Sequence, residues 1–182
     1  MKAVSSYDIV LAGRGGQGVI YLSRIMGQAA LLQGLRIRTT ETHGMAMRGG
    51  SVQCFVRVGE VHGPLFRKGS AALVMALHPG ETSLALPHLR EDGTVLISGG
   101  EGEKTGISLA GSQKLLALDA DAIAVEQGNP RSANLALLGG AVGSVKGFPL
   151  EAWSIEAAIA GMGPAGTVER NLEIFRKGLN SF

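Results

Sequence analysis

The chain has 182 residues, 45% hydrophobic but only 4% aromatic, and a formal net charge of +2. That length suits one domain, here residues 1–182, with a largely aliphatic core. No basic run or aromatic platform points to nucleic acid, no segment reaches the roughly 20 apolar residues of a membrane span, and Asp8 breaks any leader-like start. A single cysteine, Cys54, excludes an internal disulfide and any four-cysteine iron–sulfur cluster held by this chain alone. Its expected role is a buried strand residue.

Charge is unevenly placed. Residues 1–70 carry nine Lys and Arg against three Asp and Glu, and seven of the nine are arginines. The remainder carries eight against twelve. Arginine grips carboxylate and phosphate as a fork and suits interfaces, so an anionic ligand or a large partner fits the bias. Ordinary solvated charge is the plain reading for Arg24, Arg36 and Arg38.

In chain order, Tyr7–Ala12 reads as the first strand. Gly13-Arg14-Gly15-Gly16-Gln17-Gly18 follows it and precedes a helix from about Gly18 to Gly34. That helix carries Leu22, Ile25, Met26, Ala29 and Leu32 on one face, and Gly34 closes it. A strand, a glycine turn and a helix start make an anion site, because the first helical N–H groups are unpaired and the dipole favours negative charge. Leu35–Thr40 is a second strand ending at Glu41, placed where an acid meets a ribose hydroxyl in a dinucleotide fold. A tight turn with no ligand is the plain alternative.

A second glycine-rich segment, from Glu41 and Thr42 through His43-Gly44-Met45-Ala46-Met47-Arg48-Gly49-Gly50-Ser51, then leaves that strand where such a fold would start a helix. Ser51–Val58 reads as a strand, with Gly59-Glu60 turning it into Val61-His62 as an antiparallel hairpin. Ala71–Leu77 is a buried central strand. A short helix near Glu81–Leu86 leads to the strand Thr94–Ser98. Residues 98–128 are the least legible; Leu115–Leu118 and Ala120–Glu126 suggest a strand and a helix. Asn129-Pro130 starts a helix running to about Val142. Ser154 and Thr167 are expected to cap the last two helices. The fold class is α/β and three-layered: a mostly parallel sheet, an antiparallel hairpin and a Rossmann-like glycine turn after strand one.

Gly-x-Gly-Gly-Gln-Gly together with Glu-Thr-His-Gly-Met-x-x-Arg-Gly-Gly-Ser-Val resembles the gamma subunit or domain of the 2-oxoacid:ferredoxin oxidoreductases. Within that family the likeness is nearest to the small subunit of the indolepyruvate type. It extends through Pro64-Leu65, Glu81, Leu86-Pro87-His88-Leu89, Gly128-Asn129 to Asn134, and Val168 to Gly178. Met47 departs from the pattern, where a polar residue such as Gln is usual.

The resemblance implies oxidative decarboxylation of indolepyruvate or a similar aryl-pyruvate to the acyl-CoA, with electrons passing to ferredoxin. It implies a cytoplasmic complex in which thiamine diphosphate, Mg²⁺ and the iron–sulfur clusters belong to a large partner subunit. This chain lacks a Gly-Asp-Gly…Asn signature and would be an accessory subunit, inactive alone, with no catalytic or metal residues of its own. The isolated chain would be able to form a homodimer.

Two roles stay open for the glycine segments. In one, Gly13, Gly15, Gly16 and Gly18 let a partner backbone approach, with Glu41, His43, Gly44, Met45, Arg48, Gly49, Gly50 and Ser51 at the interface. In the other, the same crevice holds coenzyme A phosphates at the shared interface, with Arg14 or Arg48 supplying charge and Gln17 bonding to either occupant. An independent NAD(P)-binding oxidoreductase and a stand-alone binding module are the alternatives. The four histidines have no metal-ligand spacing, and no serine has a nucleophile setting.

Overall fold

The computed structural model describes residues 6–43, 49–99 and 107–182. A six-stranded mixed sheet runs in the order β2-β3-β1-β4-β5-β6. Its strands are β1 (Tyr7–Arg14), β2 (Ile37–His43), β3 (Ser51–Val58), β4 (Ala71–Ala76), β5 (Leu89–Ser98) and β6 (Lys114–Leu118). β1, β4, β5 and β6 are parallel neighbours, while β3 is antiparallel to both β1 and β2.

β1 and β4 are buried on both faces, as their near-continuous apolar runs require. One face holds the larger core, where Ile9, Leu11, Val56, Leu73 and Met75 pack with side chains of the helices. These are α1 (Val19–Leu32), α3 (Ala120–Glu126), α4 (Ala133–Ser144), α5 (Ala152–Met162) and α6 (Val168–Leu179). The opposite face carries Val10, Ala12, Val74 and Val95 under a thinner cover: α2 (Thr82–Ala85), two flanking 3₁₀ turns, and loop residues Phe66, Ile107 and Leu109. The third layer is therefore mostly loop and short turns.

α1 ends as expected, with Gly34 at φ 69°. The Gly34 N–H donates to Leu31 O and the Leu35 N–H to Ala30 O, so two last-turn carbonyls are satisfied. α4 is buried around its circumference from Asn134 to Ala141, because it packs against both the sheet and α6. Glycines permit that approach: a Cβ on Gly139 would strike the Phe175 carbonyl, and one on Gly178 the Ala136 carbonyl. No helix of the described residues is long and apolar enough to cross a membrane.

Several expectations are corrected. The antiparallel partner of Ser51–Val58 is not Val61-His62, which form no strand; β3 instead takes full ladders on β1 and β2. Two residues followed by Gly63-Pro64 offer too few donors to compete, since proline has no N–H. β3 also separates β1 from β2, so their ends are not adjacent. Ser154 lies inside α5, whose N-cap is Glu151. Its hydroxyl donates to Gln33 Oε1 at 2.6 Å, and Gln33 Oε1 also accepts the Glu151 N–H at 2.8 Å, fastening α1 to α5. Thr167 holds the N-cap position of α6, but its hydroxyl donates backward to Pro164 O.

The basic bias of the first 70 residues is partly structural. Arg57 pairs with buried Asp8 at 2.8 Å, donates to Leu65 O and lies over the Phe66 ring. Arg36 pairs with Glu60 at the surface. Cys54 is buried, and burial pushes its thiol up to about 11, leaving it protonated at neutral pH.

Candidate functional site

β1 and β2 run in the same direction with β3 reversed between them. The carboxyl ends of β1 and β2 therefore share a sheet edge with the start of β3: Arg14 faces Ser51 across one ladder and His43 faces Val52 across the other. This topology brings the two glycine segments together. The Gly15 N–H donates to Gly50 O at 2.9 Å. A Cβ on Gly15 would sit 3.1 Å from Gly49 N, so a side chain there would push the segments apart. Gly49 itself has φ 78°, a conformation only glycine adopts without strain.

The first glycine turn is closed from within. Gly16 has φ 97° and the Gln17 N–H donates to Arg14 O, the pattern of a turn with glycine at its third position. Gln17 folds its amide back: Oε1 accepts the Arg14 N–H at 2.7 Å and Nε2 donates to Leu77 O at 3.1 Å. Three N–H groups, those of Arg14, Gly15 and Gln17, are thus bonded to the protein itself. Gly13 sits where a Cβ would be 2.9 Å from Val19 Cγ2, so it lets α1 start close to the strand. Gly18 takes the N-cap of α1 at φ 81°, and a Cβ there would overlap the Asn134 amide.

A buried carboxylate holds this seam. Glu81, 7% exposed, accepts from Arg14 Nε at 3.1 Å and from Ser51 Oγ at 2.6 Å, one oxygen each. It fastens the end of β1 to the start of β3. The Ser51 hydroxyl bond and the Arg14 guanidinium hold its carboxyl below the ordinary 4.5, against an opposing effect of burial. A depressed folded-state value stabilises the fold fully above the unfolded value, and that contribution is lost as pH falls from 4.5 through the folded value. Glu81→Gln should therefore flatten the acid limb of a stability–pH curve below 4.5 and leave its shape at neutral pH unchanged; an identical acid limb in both proteins would rule this out.

Of the residues expected at the interface, Gly49, Gly50 and Ser51 stand at the seam. The His43 backbone ends β2. Gly44, Met45 and Arg48 fall outside the described residues, as does the side chain of His43. Glu41 lies within β2 opposite Cys54, with β3 between it and the glycine turn. The strand-one to strand-two ribose contact of a dinucleotide fold is therefore not assembled. Glu81 was legible only as part of the resemblance, because nothing local marks a residue that meets its partners 67 and 30 positions away. Among the described residues no group of three metal-ligating side chains converges.

The comparisons agree with this architecture. The family model described as pyruvate ferredoxin/flavodoxin oxidoreductase matches residues 8–181. The chain is 34% identical to the indolepyruvate oxidoreductase subunit IorB of Methanothermobacter thermautotrophicus over 97% of both chains. It is 30% identical to the pyruvate/ketoisovalerate oxidoreductases common subunit gamma of Pyrococcus abyssi, over 93% of this chain and 94% of that one. The crystal structure of the keto/oxoacid ferredoxin oxidoreductase gamma subunit from Geobacter sulfurreducens superimposes with a TM-score of 0.78, covering 94% of this chain and 95% of that one at 24% identity, and so shares its fold. With the whole sheet, both glycine segments and the helical layer inside the matched span, the chain belongs to the pyruvate ferredoxin/flavodoxin oxidoreductase family.

Proposed function

We propose that this chain is the accessory subunit of a thiamine-diphosphate-dependent 2-oxoacid:ferredoxin oxidoreductase. The complex would oxidatively decarboxylate indolepyruvate or a similar aryl-pyruvate to the acyl-CoA and pass electrons to ferredoxin. The chain docks on a large subunit that carries thiamine diphosphate, Mg²⁺ and the iron–sulfur clusters. Supporting the substrate class is the 34% identity to an indolepyruvate oxidoreductase subunit along nearly the full length. Supporting the accessory role is the chemistry of the chain: its one cysteine is buried.

The observation that carries the docking role is the Gly15–Gly50 hydrogen bond, which joins the two glycine segments into one surface. Three of the first turn's amides are already bonded to the protein itself, and at Gly15 and Gly16 it offers outward a low backbone free of side chains. Another chain can approach such a surface closely, with Arg48 and His43 reaching across. Coenzyme A phosphates at the same interface are a second reading, favoured by Arg14, whose side chain remains 47% exposed while its Nε holds Glu81.

Purification from the native cell without oxygen is the test. The expected result is a complex with a large, brown, thiamine- and cluster-bearing chain, and a lone monomer or homodimer overturns the role. Arg48→Ala combined with Gly49→Val should abolish recovery of that complex while the isolated chain stays folded; normal assembly and full activity in this variant would refute docking through the seam.

A further inference from the structure

The sheet face that carries Val10, Ala12 and Val74 is covered by the loop 63–69, by α2 and by the 3₁₀ turn Leu86–His88. These pieces form one cover: the Gly69 N–H donates to Pro87 O, and the Phe66 ring meets His88 edge-on at 6.2 Å. Beneath them the strands are already sealed from water. The outside of the cover is nevertheless apolar. Leu65 is 67% exposed and Leu84, on α2, is 54% exposed.

Leu65 is held in place from below. Arg57, paired with buried Asp8, donates from Nη1 to Gly63 O at 3.2 Å and to Leu65 O at 2.8 Å. Its guanidinium lies 5.7 Å from the centre of the Phe66 ring. Pro64 restricts the backbone between the two carbonyls. Taking an ion pair out of water is costly, and this one fixes a surface segment of which only Phe66 packs on the core. What the clamp presents is Leu65, pointing outward. An apolar side chain ordered in advance loses little freedom when a partner covers it.

Charge selects the partner. Arg67 and Lys68 follow on the same loop, exposed and in no ion pair among the described residues. Asp8 and Glu60 are already paired with Arg57 and Arg36. A second copy fits badly, because a two-fold contact sets the same two cations against each other. An anionic lipid surface asks for more, since segments that hold such membranes carry roughly four to eight basic residues. An acidic protein surface with an apolar recess meets both features. α2 begins directly after Glu81, the carboxylate that fastens the glycine seam, so the patch continues from that seam.

We propose that Leu65 and Leu84, flanked by Arg67 and Lys68, form a second docking area that seats in a carboxylate-rimmed apolar recess of the large partner subunit. The inference rests on the accessory-subunit reading and carries the contact from the glycine seam onto the outer cover of the sheet.

The test uses complexes purified without oxygen that contain variants of the full-length chain, with dissociation followed by dilution at several salt concentrations. Leu65→Asp should weaken the complex by about thirtyfold or more, through lost apolar burial and a charge placed in its stead. The melting curve of the isolated variant should stay that of the unmodified chain, because the side chain is exposed. Leu84→Asp, on a separate element, should weaken the complex in the same way. Arg67→Gln with Lys68→Gln should weaken it at low salt and flatten its salt dependence. Val125→Asp, 61% exposed on α3 across the sheet, should change nothing. Affinity unchanged in both leucine variants, an equal loss in Val125→Asp, or Leu65-dependent binding of the isolated chain to itself or to phosphatidylserine vesicles would each overturn the patch. No complex with the unmodified chain overturns the accessory reading and the patch together. A complex that the leucine variants leave intact but Gly15→Val abolishes overturns the patch alone.

Discussion

Gly178→Val is expected to be the most damaging single substitution in the helical layer. Any Cβ at this position would overlap the Ala136 carbonyl on α4 and lie within 2.9 Å of Ala136 Cα and 2.7 Å of its carbonyl carbon. The obstruction is backbone rather than a flexible side-chain tip, so relief requires the two helices to move apart. Gly139 makes the same demand from α4, against the Phe175 carbonyl. Separation would unpack Phe175 and Ile174, both fully buried, from the main core. Overpacking of this kind costs about 3 kcal/mol or more. In a chain of this size that lowers the midpoint by roughly 6–12 °C at the least. Gly27→Ala supplies the control: it lies in α1 with open space where the Cβ would go. Thermal melts of the two variants decide the matter, and a Gly178→Val midpoint within a degree or two of the unmodified chain would refute the packing account.

Gly15→Val should separate folding from assembly. Its Cβ would stand 3.1 Å from Gly49 N and 3.8 Å from Gly50 O, at the hydrogen bond that closes the seam. Gly15 is exposed and sits at the rim of the sheet, so the core should survive. The local loss, one backbone hydrogen bond and some turn strain, is about 1–2 kcal/mol, a small part of total stability. The surface formed by the two glycine segments would nevertheless be split and a branched side chain placed on it. Near-complete loss of co-purification with the large subunit is expected, with a melting curve close to that of the unmodified chain. Retention of the complex would remove the glycine seam from the docking surface, and joint loss of fold and complex would show the loop to be structural.

Both expectations rest on backbone approach, and that is where sequence and tertiary structure divide. The strand–glycine turn–helix order at Gly13–Gly18, the closing Gly34 and the all-apolar β4 were readable locally, since each follows from apolar periodicity or from the freedom of glycine. The partner of Ser51–Val58 was not readable. Strand pairing is a choice among ladders far apart in sequence, and the nearest candidate, Val61-His62, loses to β1 and β2 because they offer complete ladders. The Ser154 cap failed for a similar reason: α5 starts earlier, after Glu151, and the Ser154 hydroxyl donates to Glu151 O and to Gln33 Oε1, 121 residues earlier.

The sequence by itself determined the α/β class, the aliphatic core and the family, because composition, period and two long motifs are local properties of the chain. Only the tertiary structure decided that β3 inserts between β1 and β2, that Gly15 meets Gly50, and that Glu81 ties Arg14 to Ser51. Each of these depends on hydrogen bonds and contacts between residues distant along the chain, whose register is fixed only when the whole sheet assembles.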